Sequence, residues 1–216
     1  MKFRSILATL IAAWSLPAAA ATIVIDSADN GWYTNTGSHS ASNTNTWTGT
    51  DGYGTYRNSF YNFDVSGVTG NVTAASITFL AGNGQYNSID AYETVQVWDV
   101  NTVPGLGSSL AVYNDLGSGV LYGQTDYYAS NYESMREFTV SLSSASFADI
   151  MADGFFSVGT SLASLASNYR QVLWSSSSYL PAARLTLETG PAAVPAPAAL
   201  SLLLLGLAGT CLRRAK

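Results

Sequence analysis

His39 is the only histidine in the chain and Cys211 the only cysteine, so a Ser-His-Asp or Cys-His arrangement would have to be assembled around one residue. No Gly-x-Ser-x-Gly elbow accompanies His39, which sits among Thr, Asn, Ser and Gly in what reads as a solvated loop. Zinc is poorly served by one imidazole and one thiol, because its sites draw on several Cys or His. Carboxylates are more plentiful. Fourteen acids could supply the pair of a glycoside hydrolase, but the sequence singles out no such pair. Calcium needs only oxygen ligands, and Asp26, Asp29 and Asn30 beside Gly31 form the acidic turn where a structural calcium ion would be sought first, although the spaced acidic loop with a distal Glu is missing. The reading assigns no catalytic residue and no cofactor beyond that calcium candidate.

Aromatic side chains offer a different chemistry. Trp32, Tyr33, Trp47, Tyr53 and Tyr56 crowd a polar segment near the N-terminus, and Tyr127, Tyr128 and Tyr132 crowd a later one. Rings with a polar tip can form platforms for sugar faces, with Asp51, Arg57 and Asn58 as polar partners in the first segment. The alternative is that the same rings fill the core or cap its ends.

The elements that must position these residues read as strands. Thr22 to Asp26, Arg57 to Val65, Ala75 to Phe79, Glu93 to Val100, Gly119 to Thr125, Phe138 to Leu142, Phe155 to Leu162, Tyr169 to Trp174 and Arg184 to Glu188 are short runs, many of them alternating, separated by Gly, Asn, Asp and Ser clusters. The run from Arg57 to Val65 is aromatic on both faces and so belongs in the middle of a sheet. Phe63, Ile77, Phe79, Val97, Val140 and Leu185 fall on the apolar sides. One helix is expected, capped by Ser144, with Phe147, Ile150 and Met151 at i, i+3 and i+4 and Gly154 at its end. Eight or nine strands in a body of this length predict an all-β, jelly-roll-like β-sandwich.

Charge narrows the partners. Residues 22–190 hold all fourteen acids but only Arg57, Arg136, Arg170 and Arg184 and no lysine, a net charge of −10. Such a body repels a phosphate backbone, which disfavours nucleic acid as a ligand. It contains no cysteine, so it forms no internal disulfide and depends on its core.

Both ends of the chain have a different composition. Lys2 and Arg4, an apolar run from Ile6 to Leu16, Pro17 and the small residues Ala18 to Ala21 make a secretory signal over residues 1–21, cleaved by signal peptidase. Pro191, Pro195 and Pro197 lead into an apolar stretch from Ala198 to Leu212 that closes on Arg213, Arg214 and Lys216, a stop-transfer order that leaves the preceding domain outside the inner membrane. Fifteen residues reach roughly 22 Å, short of a hydrocarbon core of about 30 Å. A segment of that length suits transient anchoring and removal, in the manner of anchor-addition signals; the alternative is a plain single-span anchor.

With Val194-Pro195-Ala196-Pro197-Ala198-Ala199, the Leu/Gly-rich stretch and the Arg pair, residues 191–216 resemble the PEP-CTERM class of sorting tails, in its Val-Pro-x-Pro-Ala variant. The resemblance implies an exosortase-type transpeptidase as processing partner and export from a Gram-negative-type bacterium to the cell surface or extracellular matrix, often alongside extracellular polysaccharide. Inside the body, Asp29 to Tyr33, Tyr56 to Val65, Glu93 to Thr102 and Tyr113 to Gly119 resemble exported bacterial β-sandwiches similar to DNRLRE-type and carbohydrate-binding-module-like jelly rolls. What these resemblances imply is a non-enzymatic surface protein associated with exopolysaccharide, with a carbohydrate-binding module and a glycoside-active enzyme as alternatives.

Overall fold

The computed structural model describes residues 20–81, 86–128, 136–152, 154–166, 168–178 and 181–190. Residues 1–19 of the segment read as signal (residues 1–21) lie outside these, as do the sorting motif and stop-transfer cluster (residues 191–216) and Tyr132. Twelve strands follow in chain order: β1 (Ala21–Asp26), β2 (Asp29–Thr34), β3 (Thr46–Thr50), β4 (Tyr56–Asp64), β5 (Asn71–Ala81), β6 (Tyr86–Asn87), β7 (Tyr92–Asp99), β8 (Leu121–Tyr128), β9 (Arg136–Leu142), β10 (Phe155–Leu162), β11 (Gln171–Ser175) and β12 (Ala183–Gly190). Two short helices interrupt them, α1 (Leu110–Asp115) and α2 (Ser146–Ile150).

All the strand pairs are antiparallel, in two sheets. The smaller sheet runs β1-β12-β5-β9. The larger runs β6-β11-β3-β4-β10-β7-β8, with β2 on the other edge of β4. If β2, β3, β6 and β11 are set aside, the remaining eight strands numbered along the chain give 1-8-3-6 against 2-7-4-5, the double Greek-key order of a jelly roll. The expected fold class is therefore observed, with four additional strands that form an annex around β4. β4 is central, as its two aromatic faces predict. β2 pairs along Arg57 to Asn62 on one edge, while β10 (Ser59 to Asp64) and β3 (Tyr56 and Arg57) divide the other.

The core lies between the sheets and contains Phe63, Ile77, Phe79, Val97, Val140 and Leu185, all buried as alternation predicts. Side chains of 57, 59, 61 and 63 leave β4 on one face and those of 58, 60 and 62 on the other. On the second face Phe60 joins Tyr33, Val112 and Leu116 in a separate apolar cluster under α1.

The helices correct the sequence expectation. α2 has Ala145, not Ser144, at its N-cap, with no side-chain cap bond. Ile150 is buried, but Met151 is half exposed because the helix stops before a second turn can carry it to the core. The unexpected α1 is capped by Ser109, whose Oγ accepts from Val112 N at 3.3 Å.

Candidate functional site

β2 and β4 bring Trp32 and Arg57 to one face, since Trp32 lies opposite Ser59 and Thr34 opposite Arg57 in the antiparallel register. β3 pairs with β4 only at Gly49 and Thr50 and stands apart from it at Trp47 and Thr48, where the Ser59 hydroxyl occupies the fork: it accepts from Trp47 N at 2.8 Å and from Thr48 Oγ1 at 3.0 Å. Thr160 of β10 closes the fork from the far side, 3.0 Å from Thr48 Oγ1. This hydroxyl cluster fixes β3 so that Trp47 meets Arg57.

The Arg57 guanidinium carbon lies 4.1 Å from the Trp47 ring centroid and 5.3 Å from that of Trp32, and the two indoles meet edge to face at 6.3 Å. Trp32 is held in place by its Nε1–H, which donates to Asn45 Oδ1 at 2.7 Å. A second cation, Arg170, stands 5.7 Å over the same Trp47 ring. Its position follows from the β11–β3 pairing, which sets Gln171 opposite Thr50 and packs the 169–170 segment against Gly52.

The electrostatics of this corner are unusual for so acidic a domain. The Arg57 side chain is 14% exposed, and its Nε and Nη1 are buried without a hydrogen-bond partner. Burial lowers its affinity for the proton below the ordinary value; Asp51 opposes that shift and Arg170 adds to it. Cation–π contact offsets part of the desolvation cost, worth up to about 2 kcal/mol for a desolvated cation on tryptophan. Asp51 is only a partial counter-charge. Its Oδ2 is 3.9 Å from Arg57 Nη1, while Oδ1 accepts from Tyr53 N at 2.8 Å and Thr55 N at 3.2 Å. The Tyr53 amide bond is the main reason its carboxyl is held below the usual range. Tyr53 itself is 95% exposed at the tip of that turn, and Tyr169 is half exposed beside Arg170.

Of the residues singled out in the sequence, the structure thus brings together Trp32, Trp47, Asp51, Tyr53 and Arg57. It separates the others. Tyr33 is fully buried, its hydroxyl accepting from Gly105 N at 3.0 Å. Asn58 projects from the opposite face of β4 and donates to Tyr113 O at 3.3 Å. Tyr127 is in the core against Tyr86 and Phe138, and Tyr128 pairs instead with Tyr92 at 5.4 Å on the other side of its strand. The platform expected around Tyr127 and Tyr128 is therefore split between two faces, as neighbouring strand positions must be.

Two further expectations change. His39 is half-buried rather than free in a solvated loop: it stacks on Tyr33 at 4.4 Å, meets Phe60 edge-on at 5.7 Å, and places Nδ1 2.9 Å from Trp32 O, with Nε2 buried. The calcium candidates do not converge. Asp26 pairs with Arg184 at 3.6 Å, Asn30 donates to Thr44 O, and Asp29 receives only the adjacent Asn30 N at 2.9 Å. Among the described residues no three His, Cys, Asp or Glu side chains gather to hold a metal ion.

Sequence reasoning overlooked Arg170 and Tyr169, which β11 delivers from far along the chain. The available signal was scarcity, because a lysine-free body with four arginines gives each of them weight. It also overlooked a buried polar network in which Gln171 Nε2 donates to both Glu93 Oε1 and Asp90 Oδ2 at 2.8 Å, while Ser88 Oγ donates to Glu93.

Among the described residues, no helix is long and apolar enough to cross a membrane. The chain matches no protein-family model and has no significant match among curated proteins.

Proposed function

We propose that the chain is an exported, non-enzymatic surface protein whose jelly roll contacts extracellular polysaccharide at the Trp32–Trp47–Arg57 corner, and whose C-terminal tail is a sorting signal. The corner is the observation that carries this reading: partly exposed indoles on the added strands β2 and β3, an arginine on β4 and exposed tyrosines in the adjoining turns come together. Indole and phenol faces stack on sugars, and guanidinium groups donate to their oxygens. These groups hold a ligand but do not cleave it. Arginine stays protonated at any working pH, and Asp51 spends one oxygen on its own turn while its lowered pKa leaves it ionised, with no proton to donate near neutral pH. The tail reading is supported by Val194 to Pro197, the short apolar stretch and Arg213, Arg214 and Lys216 acting in one order.

Glycan-array binding by the full chain, kept soluble in a polyoxyethylene detergent that carries no sugar, tests the first part; Trp47→Ala is expected to abolish the signal, and an array with no bound glycan rejects it. Intact mass of the native surface form tests the second. The expected species lacks Leu200 to Lys216, and Pro195→Ala with Pro197→Ala leaves an uncleaved membrane form. A mature protein that retains Cys211 would establish a plain anchor instead.

A further inference from the structure

Two guanidinium groups share one indole at this corner, and a single carboxylate answers them. Among the described arginines, Arg184 has two acidic partners, Asp26 at 3.6 Å and Glu137 at 3.0 Å. Arg57 has only Asp51, at a separation of 3.9 Å that makes no hydrogen bond, and Arg170 adds positive charge to the same ring without any ion pair of its own among the described residues. A net positive spot therefore remains on a body whose overall charge is −10. The spot is edged by two turns whose backbones pack at Gly52, and these carry exposed rings that can stack on a sugar, Tyr53 and Tyr169. A positive site flanked by aromatic faces on an acidic body selects for a ligand that carries negative charge and a carbohydrate face together. A polyanion held by charge alone is repelled by the rest of the surface wherever it lies within about a Debye length, roughly 8 Å at physiological salt; an acidic glycan meets the same repulsion, and stacking on the rings offsets it.

We propose that the ligand is an acidic polysaccharide, with an oxyanion of one sugar completing the charge of Arg57 and Arg170, which Trp47 holds in place, while its ring stacks on an exposed tyrosine, Tyr53 or Tyr169. The proposal rests on the glycan-contact reading above and names the class of glycan. Arginine suits the task because its planar fork matches carboxylate and sulfate oxygens and remains charged on an aromatic face.

Matched polymer pairs separate charge from sugar identity. The full chain is titrated with polygalacturonate and its full methyl ester, and with dextran sulfate and dextran; the first pair reports a carboxylate and the second a sulfate. At least one acidic member is expected to bind about tenfold more tightly than its neutral counterpart, the scale of one charge-assisted hydrogen bond. That advantage should shrink in about 0.5 M salt, where screening shortens the reach of the charges. Arg170→Gln, at an exposed position that does not endanger folding, should remove most of it. Arg57→Lys should weaken binding while leaving the salt dependence, because it keeps the charge and loses the planar stack. Equal affinity within both pairs overturns the acidic preference and leaves glycan contact standing. Binding to none of the four polymers overturns the proposal, and the glycan array then decides whether the wider reading falls with it. An advantage untouched by Arg170→Gln places the anion elsewhere and overturns it. Competition by single-stranded DNA as effective as that of the acidic polymer shows that charge alone is recognised, which overturns it as well.

Discussion

Glu93 keeps its carboxyl almost wholly out of water, held by Ser88 and Gln171, and burial pushes its pKa above the ordinary value of 4.5. Between that value and the raised one the folded state retains a proton that the unfolded chain has released, so stability from this group is full at low pH and is lost as pH rises through the window. Asp51 and Asp64 act in the opposite sense. Their carboxyls are held low, by the Tyr53 amide and the Ser66 hydroxyl respectively, so what they contribute is present at neutral pH and is lost as pH falls through their folded values. Glu93→Gln isolates the first effect. Relative to the native protein, the variant should gain stability steadily as pH rises above 4.5, measured by urea unfolding at each pH. Parallel curves for the two proteins would mean that Glu93 is solvated.

At the scale of elements, Gly49 decides whether the annex forms. Its φ of 127° lies where side chains are disfavoured, and a Cβ there would overlap the Gln171 carbonyl across the β3–β11 pair. Gly49→Ala should therefore part β11 from β3 and take Arg170 away from Trp47, while the eight jelly-roll strands keep one cooperative transition. Gly54→Ala is the control, with a φ of 98° but open space around the added methyl group. It should cost only backbone strain, about 1–3 kcal/mol, and spare glycan binding, whereas Gly49→Ala should abolish binding and shift tryptophan emission. If the two variants behave alike, the steric role of Gly49 is wrong.

The jelly-roll strands were readable because Val95 and Val97, Phe138, Val140 and Leu142, or Leu185 and Leu187 keep an apolar side. Two of the annex strands carry no such pattern. β3 buries Thr46, Thr48 and Thr50, and one face of β2 buries Asn30 and Thr34, so these faces are polar and satisfied by Ser59, Thr160 and Thr44 O. Period-two hydrophobicity cannot detect a strand whose buried side is made of hydroxyls. The site was legible in the same uneven way. Trp32, Trp47, Asp51, Tyr53 and Arg57 are close in sequence and stay close in space, while Arg170 and Tyr169 arrive through a pairing that no local pattern announces.

Across the whole molecule, the corner and the tail junction occupy opposite ends of the sandwich. Phe79 and Leu80 line the same cavity as Thr46, Thr48 and Tyr61 and sit opposite Ala182 and Ala183, whereas Gly190 pairs with Asn71 at the other end of β5. β12 spans between them, eight residues or roughly 25 Å. A domain gripped at the corner and tethered beyond residue 190 carries tension along β12, which lies between β1 and β5. The ladder bonds stand perpendicular to that pull, so they bear it together and fail together. Pulling between the two ends of the domain is different. Ala21 on the outer strand β1 is the partner of Thr189 on β12, and separating them opens β1 from β12 one bond at a time. In single-molecule stretching, handles at Tyr53→Cys and Gly190→Cys should therefore yield at markedly higher force than handles at Ala21→Cys and Gly190→Cys, and equal forces would show that β12 does not carry the load. The same domain would then be a stiff link between the corner and residue 190, and a weak one along the line between Ala21 and Gly190.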